Sequence, residues 1–281
     1  MFVIALALGS SACYGVSNFL GPQLARRHTL VAVLILSQLA ALAVCLLYLL
    51  VARGRALPAG DAWLALLAGA GNAGGLIGFY KAAELGPLAV AAPIGALGAV
   101  IPVVWGLTSG DSLGVTQVAG LALAMGGATL AARRPSTGGH AHVVYPDPRA
   151  SVIWAAGSAI AFGVFLTALP KAAAHGRAWA LLDARLALVV LLILWAGRSI
   201  GTIRLRRESV ALAVPGLLLV GGTLLYTTAT DHGELSLVSV LGSMFPVFTV
   251  GLGVAILQER LSYIQALGVA AALAGIVLIA L

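Results

Sequence analysis

Runs of about twenty apolar residues, broken by clusters of Arg, Pro, Gly and Asp, recur along the chain near 2–25, 30–52, 62–84, 87–108, 112–132, 151–173, 178–197, 208–230, 235–257 and 261–281. A helix of roughly that length crosses the hydrocarbon of a bilayer, and it satisfies its own backbone where no water can. The reading is therefore an all-α membrane protein with ten transmembrane helices. Composition agrees, because 61% hydrophobic and 9% charged residues leave too little polar surface to clothe a water-soluble domain. The net charge of +7 is carried largely by short clusters between the runs (Arg26 and Arg27; Arg53 and Arg55; Arg133 and Arg134; Arg204, Arg206 and Arg207). Placed there, they face lipid phosphates and set orientation; membrane lipid is an expected partner and nucleic acid is not. Cys13 and Cys45 lie inside apolar runs with no spaced cluster, so they read as small packing residues, with no disulfide framework, metal site or cofactor expected.

The second constraint is internal repetition. "GSSACYGV" at 9–16 returns as "GSAIAFGV" at 157–164, and Pro22/Pro170, Leu113/Leu261, Gln117/Gln265, Gly120/Gly268 and Gly127/Gly275 share the same offset of 148, with Tyr80 and Tyr226 a small shift away. The long polar stretch "RRPSTGGHAHVVYPDPRAS" separates the copies, giving a first five-helix repeat at 1–132, a linker at 133–150 and a second repeat at 151–281. Five is odd, so the second copy enters the membrane upside down. Inverted repeats related by a pseudo-two-fold axis in the membrane plane are a recurrent design of secondary transporters. The first run lacks a basic leader and is copied from 157 onward, so it reads as a retained helix rather than a signal peptide.

"YKAAELGPLAVAAPIGALGAVIPVVWG" followed by "DSLGVTQVAG", and "YTTATDHGELSLVSVLGSMFPVFTVGLGVAILQERLSYIQALG", carry matching features. An aromatic precedes a turn at Gly86 and Gly233. Prolines follow in the next span (Pro93 and Pro102; Pro246), an acid closes it (Asp111; Glu259), and then come Leu, Gln and Gly. These segments resemble the two EamA-type repeats of the drug/metabolite transporter superfamily, with Asp111 where the family usually has Glu and no clear first-half counterpart to Arg185. The resemblance implies spans 1, 3, 4, 6, 8 and 9 around a central cavity, with spans 5 and 10 peripheral. It also implies transport of amino acids, nucleotide sugars, phosphorylated sugars, cations or other metabolites, without naming the cargo.

Polar residues inside spans supply the candidate site. Ser10, Tyr14, Ser17 and Asn18 share one face of span 1, and Thr223, Tyr226, Thr227 and Thr230 share one face of span 8. Span 9 adds Ser236, Ser239 and Ser243, and span 3 adds Asn72 and Tyr80. Small hydroxyls in membranes commonly bond across packed helices or to their own backbone, whereas the larger groups need room and a ligand or water. Phe162 and Phe165 of span 6 stand opposite Tyr14 and Ser17, so an apolar wall faces a polar one and an amphiphilic solute fits. The substrate-binding expectation is Tyr14, Ser17, Asn18, Asn72, Tyr80, Phe162, Phe165, Tyr226, Thr227 and Ser243. Pro93, Pro102 and Pro246 each remove a backbone hydrogen bond and are hinge candidates, a static kink being the alternative. Gly71, Gly74, Gly75 and Gly78 have the spacing of close helix packing. Lys81, Glu84 and Asp231, the last beside His232 and Glu234, are charged gate candidates near the interfaces; Asp183 and Arg185 are placed near an interface too. No acid lies mid-span in spans 1 or 6, so a buried-glutamate exchanger is not expected. His140 and His142 read as solvated loop.

The expected function is a secondary transporter exporting a small amphiphilic, amino-acid-like metabolite across the inner (cytoplasmic) membrane by alternating access, as a monomer or homodimer. The alternative is a membrane-embedded enzyme or a lipid-handling scaffold; no H-E-x-x-H, paired acids or catalytic His–acid span supports an enzyme. Orientation divides the signals. The resemblance implies cytoplasmic termini. Yet Arg26, Arg27, Lys81, Arg133, Arg134, Arg149, Arg198, Arg204, Arg206, Arg207 and Arg260 fall on the side opposite the termini, against Arg53, Arg55, Lys171 and Arg177 beside them, and the positive-inside rule then puts both termini outside.

Overall fold

A computed structural model describes residues 1–25, 27–52, 57–58, 60–86, 88–111, 114–131, 146–203, 207–257 and 263–280. The described elements are helices α1 (Phe2–Ala25), α2 (Leu30–Ala52), α3 (Ala62–Leu85), α4 (Leu88–Ala96), α5 (Val100–Thr108), α6 (Val115–Ala131), α7 (Pro148–Ala196), α8 (Ala213–Thr230), α9 (Leu235–Gly242), α10 (Phe245–Leu257) and α11 (Tyr263–Ala280), with short 3-10 turns between some of them. Five helical stretches, Phe2–Ala25, Leu30–Ala52, Ala62–Leu85, Arg149–Gly201 and Val210–Thr230, are long and apolar enough to cross a membrane. Trp63, Trp105, Trp154 and Trp195 stay exposed near helix ends, the amphipathic belt expected where hydrocarbon meets headgroups.

Two expected spans, 4 and 9, take a different form, while spans 6 and 7 turn where they were expected to. Spans 6 and 7 are one assigned helix, α7, bent at Gly176, whose φ of 172° and ψ of 78° are not helical. In a straight helix Ala161 and Ala187 would lie about 39 Å apart. Both instead pack on neighbouring positions of α3, Gly71 and Gly69, so α7 folds back into two arms at Gly176. Asp147 caps its start, accepting from the backbone N–H groups of Arg149 and Ala150 at 3.0 Å, with Pro148 at the first position where no N–H is needed. The last residues of the expected linker thus belong to α7's cap and first turn; 133–145, with His140 and His142, lie outside the described residues.

Spans 4 and 9 are each two short helices rather than one. α4 and α5 meet at a 3-10 turn, Leu97–Ala99, and Pro102 sits in the first turn of α5, where its missing N–H leaves the Gly98 carbonyl without its usual partner. α9 and α10 meet at Ser243 and Met244, and Pro246 is the second residue of α10. Pro102 and Pro246 therefore begin helices after a break instead of kinking continuous ones. Pro93 lies within α4; its side chain is outside the described set.

Glycines set the packing. α1 runs antiparallel to α8, as the contacts Gly9–Leu225, Tyr14–Gly222 and Ser17–Pro215 show. The first arm of α7 runs antiparallel to α3, through Gly71–Phe165, Gly75–Phe162 and Gly78–Trp154. α1 and α3 run the same way: Gly21 lies beside Tyr80, and both helices start at one end of the bundle, linked through Phe2–His232, Asp231–Arg177 and His175–Asp61. The first arm of α7 therefore runs opposite to α1, its equivalent in the other half. Contacts also repeat across the halves, at an offset of 148 in α1 and 147 from α2 to the α4–α5 turn: Gly75–Phe162 with Gly222–Tyr14, Gly69–Ala184 with Gly216–Ser37, and Gly163–Gly98 with Gly15–Phe245. In the last pair a side chain has no room. A Cβ on Gly163 would come within 2.7 Å of the Gly98 carbonyl oxygen, and one on Gly15 within 2.9 Å of that of Phe245.

Candidate functional site

Between α1, α3, α4, the first arm of α7, α8 and the α9–α10 break lies a cavity, partly open to solvent. One wall is polar: Tyr14 and Asn18 on α1, Asn72 on α3, Thr223 on α8 and Ser243 at the break. Phe162, Phe165 and Leu166 of α7, with Leu76, Leu219 and Phe245, make an apolar wall, and Gly95 and Gly242 leave the space between them open.

The polar wall is unevenly satisfied. Thr223 Oγ1 donates to the Leu219 carbonyl at 2.7 Å and lies 3.2 Å from the Tyr14 hydroxyl, which is thereby held against α8. Asn18 and Asn72 are 6% and 8% exposed, and their amides make no hydrogen bond to another described residue. Both residues line the cavity, where a hydrogen-bonding guest or water can satisfy their amides.

The lining comes in equivalent pairs from the two halves. Tyr14 matches Phe162 and Asn18 matches Leu166 at offset 148; Asn72 matches Leu219, Leu76 matches Thr223 and Gly95 matches Gly242 at offset 147. The cavity thus sits where the halves meet, with the polar member of the first three pairs always in the first half. That pairing is the signal by which Leu166 and Leu219 were findable; alone they are two leucines in a leucine-rich chain.

Of the residues expected to bind, Tyr14, Asn18, Asn72, Phe162, Phe165 and Ser243 are brought together here. Four others stand behind the walls. The Ser17 hydroxyl donates to the Pro215 carbonyl at 3.0 Å, and the Thr227 hydroxyl to that of Thr223 at 3.1 Å. Tyr80, 3% exposed, packs beside Gly21 and edge-on to Phe79. Tyr226 is fully buried, with its hydroxyl 2.9 Å from the Leu166 carbonyl and 2.6 Å from Ser239 Oγ. At offset 147 its counterpart is Phe79, also fully buried, rather than Tyr80.

The charged groups lie away from the cavity. Lys81 pairs with Glu84 at 2.8 Å at the exposed end of α3. At the other end of the bundle Asp231 pairs with Arg177, which also donates to Thr228 Oγ1. There Asp111 accepts from the backbone N–H and the hydroxyl of Ser236 at 3.0 and 2.7 Å, joining the end of α5 to the start of α9 across the two halves. Lys171 lies 3.4 Å over the Trp105 ring. Arg185 differs from expectation: at 3% exposed it does not reach an interface, and its Nη1 donates to Gln38 Oε1 at 2.5 Å. Gln38 stands 147 positions earlier and is the first-half counterpart that the sequence alone did not disclose. Among the described residues no group of three His, Cys, Asp or Glu side chains could hold a metal.

The sequence matches the EamA-like transporter family over residues 1–133 and 149–281. The chain belongs to that family. It is accordingly a multi-pass membrane transporter of small solutes. A solved structure described only as a crystal structure of a protein superposes with a TM-score of 0.74 at 20% identity, covering 98% of this chain and 94% of its own, a likeness that shows the fold alone. No curated protein matches the chain. In this EamA-family chain the family match spans both halves that build the cavity, so the site is a property of the pair of repeats and of neither alone.

Proposed function

We propose that the protein is a secondary carrier of ten membrane crossings, arranged as two inverted five-helix repeats, which exports a small amphiphilic metabolite across the cytoplasmic membrane by alternating access. The observation that carries the reading is one cavity lined both by the Asn18 and Asn72 amides and by Phe162, Phe165 and Leu166. A concave site at the junction of the repeats, mostly apolar with a few convergent polar groups, is where a small metabolite binds. Its polar head bonds Asn18, Asn72 and Tyr14, and its apolar part lies on Phe162, Phe165 and Leu166. Tyr14 is the one ionisable side chain in the lining, so the site recognises hydrogen-bonding shape more than a counter-charge, as an amino-acid-like zwitterion requires. The opposite directions of α1 and the first arm of α7 support the inverted arrangement, and the doubled glycine contacts support two interchangeable states.

Comparing metabolites in the medium of overexpressing and deleted cells identifies the cargo without guessing it. Purified protein in liposomes should then move the labelled compound with saturation, and Asn18→Leu should lower its apparent affinity at least tenfold. Unchanged metabolite profiles and no saturable flux would leave the scaffold reading instead.

A further inference from the structure

One hydrogen bond is made in one half and missing from the other. Ser158 Oγ donates to the Gly75 carbonyl at 2.8 Å, tying the first arm of α7 to α3. The equivalents of these residues are Ser10 and Gly222, and the ring-on-glycine packing beside them occurs twice, Phe162 on Gly75 and Tyr14 on Gly222. Yet the Ser10 hydroxyl, fully buried, makes no such bond to the Gly222 carbonyl, and its polar neighbour is the Tyr14 hydroxyl. Packing follows the same asymmetry: a Cβ on Gly75 would lie nearer the Phe162 ring than one on Gly222 would lie to the Tyr14 ring. A buried hydroxyl without a backbone acceptor calls for an explanation, and a second state of the molecule that supplies the acceptor is one.

Symmetry says which state. When two repeats exchange conformations, a contact between one residue and the equivalent of another is replaced by its mirror, whereas a contact between a residue and its own equivalent is carried onto itself. Ser158–Gly75 becomes Ser10–Gly222. Gln38–Arg185, joining positions 147 apart and buried at 1% and 3% exposure, is unchanged.

We infer that the two access states differ by the exchange of this one bond, Ser158–Gly75 broken as Ser10–Gly222 forms, about a Gln38–Arg185 contact kept in both. Ser10 and Ser158 are thus positioning residues that weigh the two states, and Gln38 and Arg185 are the fixed point between them. The inference rests on the carrier reading above.

The test needs no cargo. In a Cys13→Ala, Cys45→Ala background, Ser243→Cys places one thiol in the cavity, and a membrane-impermeant maleimide applied to either face of proteoliposomes reads the ratio of the two states. Ser158→Ala should move that ratio about fivefold toward the other face, the effect of one ordinary hydrogen bond, and Ser10→Ala should move it the opposite way. Ser158→Thr, which keeps the hydroxyl, should hold the parent ratio, as should the exchange Gln38→Arg with Arg185→Gln. Ser10→Ala removes no bond present here, so it folds and remains informative where Ser158→Ala does not. Labelling from both faces with shifts in the same direction, or with none, overturns the inference and leaves the carrier standing. Labelling from one face only in every variant overturns both.

Discussion

Asn18 and Asn72 each occupy a position whose equivalent in the other half is leucine, Leu166 and Leu219. The fold accepts an apolar side chain at those places, so the amides are kept at a cost in stability. Asn18→Leu and Asn72→Leu should therefore raise the thermal midpoint in detergent while lowering transport affinity tenfold or more; a fall in midpoint with normal transport would make the amides structural. Tyr226 predicts the reverse. Tyr226→Phe, the residue type its equivalent Phe79 already has, leaves the Leu166 carbonyl and Ser239 without their partner, and should cost about 1–2 kcal/mol in a denaturation midpoint series with transport affinity unchanged. Sequence reasoning could place all these polar groups on helix faces but could not distinguish a hydroxyl facing a void from one facing a carbonyl. Ser17 and Asn18 are adjacent on α1, yet Ser17 points to Pro215 and Asn18 into the cavity, a difference made by the approach of α8.

At the level of elements, packing depends on glycines that let backbones touch. Gly216 lies against the Ser37 carbonyl and Gly69 against that of Ala184, two versions of one contact. Gly216→Ala and Gly69→Ala force a methyl into backbone that cannot rotate away, so each should destabilise by about 2–3 kcal/mol, with Gly221→Ala, which meets nothing within 4 Å, as the silent control. Detergent melting curves of the three variants decide it; equal midpoints would mean α2 and α8 can part freely. The helices themselves were legible because hydropathy marks where a chain enters lipid. So was the turn between spans 6 and 7, since Gly176 falls in the 174–177 gap; the breaks inside spans 4 and 9 were not, because Pro102 and Pro246 read as kinks when each stands at the start of a new helix. Hydropathy reports depth in the membrane and is blind to backbone direction.

For the whole molecule, the helix directions sort the charges by face. α1 and α3 end, and α7 both begins and ends, on one face, which carries Arg27, Lys81, Arg149 and Arg198 among the described residues. The opposite face, with the start of α1 and the bend of α7, carries Lys171 and Arg177. Arg177 is neutralised by Asp231, and Lys171 lies over Trp105, so neither of these two described cations is free to meet lipid phosphate. On the first face Lys81 is likewise paired, with Glu84, so the basic excess there rests on Arg27, Arg149 and Arg198. Retention of positive loops in the cytoplasm predicts the first face inside and the start of α1 outside, and with an even number of crossings both termini outside. Fusing a reporter that folds only in the cytoplasm, and separately one active only beyond the membrane, to each terminus should light the second alone at both ends. If the cytoplasmic reporter lights, moving Arg149 and Arg198 to uncharged residues should leave orientation untouched, which would show that something other than loop charge sets the insertion of this chain.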